Sequence, residues 1–228
     1  MKIKISELEK RLGYSIKKDF RVIGFDTAMI CGIAFIRTDK IHAYLDWCYL
    51  EFQRENYNKT LKKMFKEFGM MLTTENLAVI EEVFVGFSRT GSLHLAKMGT
   101  MAIAQCIQKE IDFETILARS ARAKFKIPTR KYGRGKSKLA VKDWLQNTVG
   151  IKISEDNCVD ALVLAFCGIC EGIDFTPMPA KKRKRKIQYE QYKAVNGNYT
   201  KINVKTKEII SHKKSKGPYK GIKIIGKT

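Results

Sequence analysis

Three acidic residues stand at the ends of apolar segments, where an unpaired charge is least tolerated. Asp26 follows the apolar segment 22–25, Glu81 follows 77–80, and Asp160 precedes the apolar run 161–166. Burying one unpaired carboxylate costs on the order of several kcal/mol, so the shared placement indicates a common cation site. Carboxylate oxygens are hard ligands that suit Mg²⁺ or Mn²⁺, and such ions promote phosphodiester cleavage.

The rest of the chain is strongly basic. Its 228 residues include 44 Lys and Arg against 23 Asp and Glu, a formal net charge of +21. Residues 181–228 hold 16 basic and two acidic residues, and residues 1–180 hold 28 basic and 21 acidic residues, so both parts are basic. A positive electrostatic field of this kind favours the binding of DNA or RNA through counterion release. Binding to a membrane surface is less favoured, because the tail has no amphipathic helix. A carboxylate cluster in a basic chain is typical of a metal-dependent nuclease.

The cysteines and the N-terminal residues indicate a reducing compartment. Six cysteines lie inside apolar segments rather than in a spaced framework, and residues 1–20 lack the pattern of a secretory signal. Cys167 and Cys170 have the spacing of a zinc knuckle without a second pair, so we expect them to be buried helix residues. No apolar run is long enough to span a bilayer. The expected location is intracellular, in the cytoplasm of a bacterial host or at a site of viral DNA replication.

The elements that must position the three carboxylates follow an α/β order. Strands are predicted at 21–28, 30–37 and 43–52, then a helix at 57–72 and a strand at 77–84. A buried helix at 92–109, a fifth strand at 115–127 and helices at 138–149 and 155–171 follow, the last one after Ser154 as N-cap. Gly24 and Gly32 mark places where backbone packs closely. The crossover through 57–72 makes the fourth strand parallel, and the order predicts a mixed five-stranded sheet flanked by helices.

The composition changes after Pro177, which predicts two parts: a nuclease domain at 1–176 and a basic extension at 177–228. A small β-hairpin is indicated around Asn196-Gly197. The extension begins with a run that we interpret as an electrostatic DNA arm, with a nuclear localisation signal as the alternative. This run comprises Lys181, Lys182, Arg183, Lys184, Arg185 and Lys186.

The predicted elements bring the acidic residues together. Asp26 and Glu81 meet at one edge of the sheet if their strands are neighbours, and Asp160 lies one turn into the last helix, with Asp156 and Asn157 on the same helical face. Four segments and the element order resemble the RuvC-type Holliday junction resolvases of the RNase H-like superfamily over residues 20–172. These segments are Ile-Gly-Phe-Asp at 23–26, Cys-Gly-Ile-Ala-Phe at 31–35, Val-Ile-Glu-Glu-Val-Phe at 79–84 and Asn-Cys-Val-Asp-Ala-Leu at 157–162.

The resemblance implies a metal site. Asp26, Glu81 and Asp160 take ligand roles for Mg²⁺, with Mn²⁺ as a substitute and two ions per site. A further acidic position of the family falls on Asn157 here, so either its carbonyl oxygen or the neighbouring Asp156 completes the site, and the charge of Asp156 favours the latter. Glu82 is an alternative ligand on the fourth strand, although it points to the opposite face from Glu81.

The resemblance also implies DNA contacts. Phe84 matches an aromatic residue placed against the junction bases, and Lys138 matches a lysine that stabilises charge on the scissile phosphate. Lys136 competes for that role, and the basic loop that also contains Arg134 suits phosphate contact. The family acts as a two-fold dimer that nicks two opposed strands, so a homodimer through helix 92–109 is expected.

Several of these residues also have a purely structural interpretation. Asp26 suits a turn, Asp156 complements a helix dipole, Phe84 suits a core and Lys138 a solvated helix start. The preferred function is a metal-dependent endonuclease that resolves four-way DNA junctions through metal-activated water, in DNA recombination and repair, without a small-molecule cofactor. The alternatives are another RNase H-like nuclease, which cuts RNA–DNA hybrids or branched DNA, and a non-catalytic junction-binding protein.

Overall fold

The computed structural model describes residues 1–52, 56–83, 89–133, 135–175, 189–194, 198–215, 217–220 and 222–225, and for residues 89–92 the backbone alone. The chain divides into two compact units, residues 1–178 and 179–228. Each unit has its own β-sheet among the described residues.

The sheet of the first unit is mixed and has six strands. Their order across the sheet is β1-β4-β3-β2-β5-β6. The strands β2, β5 and β6 run parallel to one another, and the other neighbours are antiparallel. The predicted meander and the parallel fourth strand are confirmed, whereas β1 is an additional edge strand of three residues, too short to show an alternating pattern. The bounds are Lys2–Lys4 for β1, Arg21–Asp26 for β2, Ile30–Thr38 for β3, His42–Glu51 for β4, Leu77–Glu81 for β5 and Asp112–Ile116 for β6.

Helices cover both faces of this sheet. Successive residues of a strand face opposite sides, so Val22 joins a core with α1, α4, α5 and α6, and Ile23 joins a second core with α2 and α3. In the second core the rings of Phe25 and Phe68 have centroids 5.2 Å apart. The helices are α1 (Ile5–Leu12), α2 (Tyr57–Met71), α3 (Arg89–Gln108), α4 (Ala118–Lys124), α5 (Ser137–Trp144) and α6 (Cys158–Ile169). A 3₁₀ turn (Thr129–Tyr132) precedes α5, and a π-helical turn (Leu145–Val149) extends it.

Two glycines let α6 lie directly on the sheet. A Cβ atom at Gly24 would stand 2.2 Å from the carbonyl oxygen of Ala161, and one at Gly32 would stand 1.7 Å from that of Asn157. Any other residue would push the helix away. The close packing predicted for these glycines is therefore confirmed, and it brings the N-terminal end of α6 against the ends of β2 and β3.

Several predicted boundaries are wrong, and two of them affect the site. The fifth strand ends at Ile116, and the next residues form α4, because the sequence Ala-Arg-Ser-Ala-Arg-Ala-Lys consists mostly of strong helix formers. The last helix begins at Cys158 rather than at 155, with Asn157 as its N-cap residue and no side-chain cap bond. The late start follows from the contact between Asn157 and Gly32, which fixes where the chain turns onto the sheet.

The second unit contains a four-stranded sheet in the order β10-β7-β8-β9. The strands β7 (Tyr189–Lys193) and β8 (Tyr199–Asn203) pair antiparallel on either side of the predicted hairpin turn, whose residues 195–197 lie outside the described part. The strand β9 (Ile209–His212) pairs antiparallel with β8, and β10 (Lys223–Ile224) pairs parallel with β7.

Two further expectations from the sequence concern the state of the cysteines and the absence of membrane-spanning helices. All six cysteines are unpaired, and burial raises the pKa of the Cys167 thiol to about 12 and that of Cys170 still higher. Both residues are buried as expected, but only Cys167 lies in α6, because Cys170 follows the helix and forms a β-bridge with Ile16. Within the described ranges, no helix combines the length and the apolar character needed to cross a membrane.

Candidate active site

The last residues of two neighbouring parallel strands form the centre of the site. Asp26 ends β2 and Glu81 ends β5, and the preceding residues Phe25 and Ile80 are register partners. Phe25 and Ile80 belong to the α2–α3 core, so Asp26 and Glu81 point to the α6 side of the sheet. The predicted convergence of these two carboxylates at one sheet edge is therefore present in the structure.

Asp160 enters the same site from the first turn of α6 and is held by Arg122. The guanidinium donates from Nε to Oδ1 over 2.9 Å and from Nη2 to Oδ2 over 2.6 Å. The side chains are 15% and 4% exposed, so this is a buried bidentate ion pair. Sequence reasoning found no basic partner for Asp160 on its own helix and missed Arg122, because residues 115–127 were assigned to a strand. The run of helix formers around Arg122 was the signal that could have placed it on a helix.

Lys138 reaches the opposite side of the site. It lies in the first turn of α5, and its Nζ is 3.7 Å from Oδ2 of Asp26. Its side chain is partly exposed, so the ammonium group can face both the carboxylates and solvent. Lys136, the competing candidate, is exposed at the N-cap position of the same helix.

Carboxyl groups outnumber basic groups in the site. Three carboxyl groups come from Asp26, Glu81 and Asp160. Two basic groups lie beside them, the guanidinium of Arg122 and the ammonium of Lys138. Burial raises the pKa of Glu81 well above its usual value, and so do a hydrogen bond with Asp26 and the charges of Asp26 and Asp160. The nearby guanidinium of Arg122 partly opposes this rise. Glu81 therefore retains a proton more readily than an ordinary glutamate until another cation offsets the charge.

Asp156 forms an ion pair with Lys142. Its Oδ1 lies 2.5 Å from Nζ of Lys142, and its side chain is 64% exposed. The hydrogen bond with Lys142 lowers the pKa of this carboxyl group. We expected Asp156 to share a helical face with Asp160, and this expectation is wrong because α6 begins two residues after Asp156.

Asn157 lies against the strand that pairs with the end of β2. Its backbone carbonyl rests against Gly32, which is the register partner of Asp26.

Glu82 follows the end of β5, and its backbone N–H donates to the carbonyl oxygen of Ile116 over 3.0 Å. Of the remaining predicted contacts, Phe84, Arg134 and the basic run 181–186 lie outside the described residues.

The three carboxyl groups are of the type that binds hard cations such as Mg²⁺, but they lie too far apart to share one ion in this structure. Within the described part of the chain, no three His, Cys, Asp or Glu side chains are grouped closely enough to hold a metal ion. Each oxygen of Asp160 accepts one bond from Arg122 and keeps a further lone pair. Asp26, Glu81 and Asp160 thus supply the type of oxygen donor that Mg²⁺ or Mn²⁺ prefers, but the structure does not group the three side chains closely.

The long helix α3 exposes apolar side chains on the other face of the sheet. Leu93, Leu95 and Ile107 are all exposed, and Ile107 is 65% accessible. The helix packs against α2, where Met70 is also exposed. An exposed apolar surface of this kind is a candidate contact with another protein chain.

The sequence matches no family model and no curated protein. The structure is similar to that of Thermus thermophilus RuvC in complex with a Holliday junction substrate, with a TM-score of 0.51 and 13% sequence identity, over 64% of this chain and 90% of that chain. A second T. thermophilus RuvC structure matches with a TM-score of 0.51 and 12% identity, over 64% and 91% of the two chains. The chain therefore has a RuvC-like fold of the RNase H-like type, as the sequence analysis predicted.

Proposed function

We propose that this chain is a metal-dependent endonuclease that resolves four-way DNA junctions by paired nicks. The observation that carries this proposal is the convergence of Asp26, Glu81 and Asp160 at one edge of a RuvC-like sheet, with Lys138 beside them. Carboxylates that crowd one another in this way are typical of sites that bind a divalent ion and act on phosphate esters.

Asp26, Glu81 and Asp160 would hold the metal through their oxygens, with two ions per site as the resemblance implies. When bound, Mg²⁺ or Mn²⁺ would activate a water molecule and offset the charge that develops on the scissile phosphate. Binding would also keep Glu81 ionised, because the ion offsets the negative charges that otherwise raise the pKa of this residue.

Arg122 would hold the carboxylate of Asp160 in a fixed orientation. Two parallel hydrogen bonds fix the plane of the carboxylate, and the pair is nearly removed from solvent. A ligand whose outer hydrogen bonds are already made loses less freedom when it binds an ion. In this role Arg122 acts through Asp160 and is a positioning residue.

Lys138 would contact the substrate. Its ammonium group stands at the rim of the site, close to Asp26 and partly exposed, where a DNA backbone would approach. A cation at that position attracts the scissile phosphate and stabilises the added charge in the transition state. Lys136 and the residues outside the described part, Phe84 and Arg134, remain predicted DNA contacts.

Two features support a four-way junction as the substrate. One structural neighbour is T. thermophilus RuvC in complex with a Holliday junction substrate, and the net charge of +21 on this chain favours a large polyanion. Paired nicks need two sites, and the exposed apolar side chains of α3 offer a surface for a two-fold dimer.

Cleavage of a labelled synthetic four-way junction tests the proposal. Linear duplex, a flap substrate and an RNA–DNA hybrid serve as matched substrates, each with Mg²⁺, Mn²⁺ or EDTA. Paired symmetric nicks that are confined to the junction and require metal would support a resolvase. Cutting of the hybrid alone would indicate a ribonuclease, and tight junction binding without cleavage in either metal would favour a non-catalytic role.

A further inference from the structure

One face of the second unit combines lysines and tyrosines. Residues paired across neighbouring strands share a face, so Tyr189 lies beside Asn203, Gln191 beside Lys201 and Lys193 beside Tyr199. On the next strand Ser211 is the partner of Lys201, and the N–H of Lys213 donates to the carbonyl oxygen of Tyr199. We call this surface the lysine–tyrosine face, and it consists of Tyr189, Lys193, Tyr199, Lys201, Lys213 and Tyr219.

Tyrosine rings support two of these lysines. Nζ of Lys201 lies 3.9 Å from the ring centroid of Tyr189 and 5.9 Å from that of Tyr219. Nζ of Lys213 lies 5.7 Å from the same Tyr219 ring. The ammonium group of Lys213 also donates a 2.7 Å hydrogen bond to the carbonyl oxygen of Pro218. These contacts hold the two ammonium groups in place, so the lysines lose less side-chain entropy when they bind an anion.

Tyr219 is itself anchored by a buried residue. Gln191 is fully buried, its Oε1 accepts from the backbone N–H of Tyr219 over 2.6 Å, and its Nε2 donates to the carbonyl oxygens of Tyr219 and Ile222. The hydroxyl of Tyr219 forms a 2.8 Å hydrogen bond with Ser211 Oγ. The support beneath Lys201 and Lys213 is therefore a hydrogen-bonded structure.

The charge of the lysine–tyrosine face is not offset by acids. Among the described residues of the second unit there are eight lysines and two glutamates. Glu190 is the register partner of Lys223 and Ile202, on the opposite face, and Glu208 lies after β8, where its Oε2 accepts from Thr206. Lys193, Lys201 and Lys213 therefore stand on a face without a described carboxylate.

We propose that the lysine–tyrosine face binds the phosphate backbone of duplex DNA without sequence preference. Two of the three tyrosine rings already stack against ammonium groups, which favours phosphate contact over the base stacking used by single-strand binders. This site lies in the second unit and shares no residue with the proposed metal site or with the basic run 181–186. This proposal depends on the proposed function in one respect, because both take DNA as the polyanion that the chain binds.

Binding of the full-length chain to a labelled linear duplex in EDTA, over a range of salt concentrations, tests this site. Each lost phosphate contact lowers the magnitude of the log–log salt slope by about 0.9. The double variant Lys201→Ala/Lys213→Ala should therefore lower it by about 2. The matched control Lys205→Ala/Lys207→Ala removes the same charge from the exposed turn after β8 and should leave the slope nearly unchanged. Equal slope losses from the two pairs, or none from either, would overturn the proposal.

A second pair of variants excludes a folding effect. Lys193 is exposed on the same face, and Lys223 is exposed on the opposite face beside Glu190, so neither replacement leaves a cavity. Lys193→Ala should lower the slope by about 1, and Lys223→Ala should not. The charge-preserving variant Lys201→Arg/Lys213→Arg should retain binding. A clear preference for single-stranded oligonucleotide over duplex would also contradict the proposal.

Junction cleavage in Mg²⁺ separates this proposal from the proposed function. If the chain cuts no junction while the duplex slopes change as expected, the nuclease assignment fails and the binding face stands. If cleavage is normal and the slopes do not change, the binding face fails alone.

Discussion

Arg122 of α4 and Asp160 of α6 form a buried bidentate ion pair at the centre of the carboxylate cluster. The two residues come from segments 38 positions apart, and the pair explains how a carboxylate can be buried in an apolar helix. Removing one partner of a buried pair leaves an uncompensated charge, which is far more costly than the loss of an exposed pair. The pair thus links the stability of the fold to the geometry of the proposed active site.

Replacing Arg122 should therefore affect both stability and metal binding. Arg122→Ala should lower the free energy of unfolding by about 3–5 kcal/mol. The double variant Arg122→Ala/Asp160→Asn should recover part of this loss, because the unpaired charge is gone. Urea denaturation in EDTA measures the change, and Arg130→Ala, an exposed arginine, is the control. Equal effects of Arg122→Ala and Arg130→Ala would contradict the role of the pair.

Arg122→Lys tests the positioning role separately. Lysine keeps the charge but cannot donate two parallel hydrogen bonds to Asp160. We expect Mn²⁺ to bind at least tenfold more weakly, as measured by calorimetry, because the loss of a supporting partner typically costs 10–100-fold in affinity. Unchanged Mn²⁺ affinity would show that Arg122 has a purely structural function.

The acidic residues should separate into two groups by function. Asp26→Asn and Asp160→Asn should abolish junction cleavage and retain junction binding, because each removes a proposed ligand charge without removing a basic contact. Asp156→Asn should leave cleavage within about threefold of the unmodified protein, because this carboxylate is exposed and pairs with Lys142. Cleavage rates and gel-shift affinities on the same junction measure both effects. Loss of cleavage in Asp156→Asn would instead support Asp156 as a metal ligand.

The sequence was sufficient to place Asp26 and Glu81 together. A meander followed by one helical crossover leaves few arrangements, and parallel strands that are neighbours end at the same sheet edge. Gly24 and Gly32 were also informative, since a glycine inside a strand marks a close backbone approach. These features depend on local patterns and on chain connectivity, both of which can be read from a single sequence.

The sequence carried a weaker signal for Arg122, and none for the environment of Asp156. The helix α4 has seven residues, too few to establish a helical period against the strand-like composition around it. The position of Asp156 depends on where α6 begins, and a tertiary contact between Asn157 and Gly32 decides that point. Long-range contacts between segments far apart in sequence determine both features.

The two strand glycines should tolerate no side chain. Gly32→Ala should lower the free energy of unfolding by about 3 kcal/mol or more, because its Cβ would overlap the Asn157 carbonyl. Gly99 of α3 is the matched control, since a Cβ there would meet its nearest atom at 3.4 Å. Gly99→Ala should be neutral or stabilising by up to about 1 kcal/mol, as expected from helix propensity. Similar destabilisation at both glycines would contradict the close contact between α6 and β3.

Glu81 should make the stability of the metal-free protein depend on pH. Its pKa is raised above the usual 4.5, chiefly by burial and then by Asp26, so the folded protein holds this proton more tightly than the unfolded chain. Stability is therefore lost as the pH rises from about 4.5 towards the raised pKa. Glu81→Gln should flatten that loss in urea denaturation in EDTA, whereas Glu114→Gln, an exposed control on β6, should not. Identical pH profiles for Glu81→Gln and the unmodified protein would contradict the crowding of carboxylates at this site.

The exposed apolar surface of α3 should determine whether the protein dimerises. Leu93 and Ile107 lie 14 residues apart on one helix, which places them on nearly the same side, and both are exposed. The variant Leu93→Asp/Ile107→Asp should be monomeric in analytical ultracentrifugation, because a dimer would bury two unpaired charges on each chain. Its junction nicks should be single and uncoordinated, since each chain would act alone. Ile41→Asp, at an equally exposed apolar residue that follows β3, should leave both the mass and the paired nicks unchanged. Coordinated nicking by a monomeric variant would contradict the role of α3 in pairing the two sites.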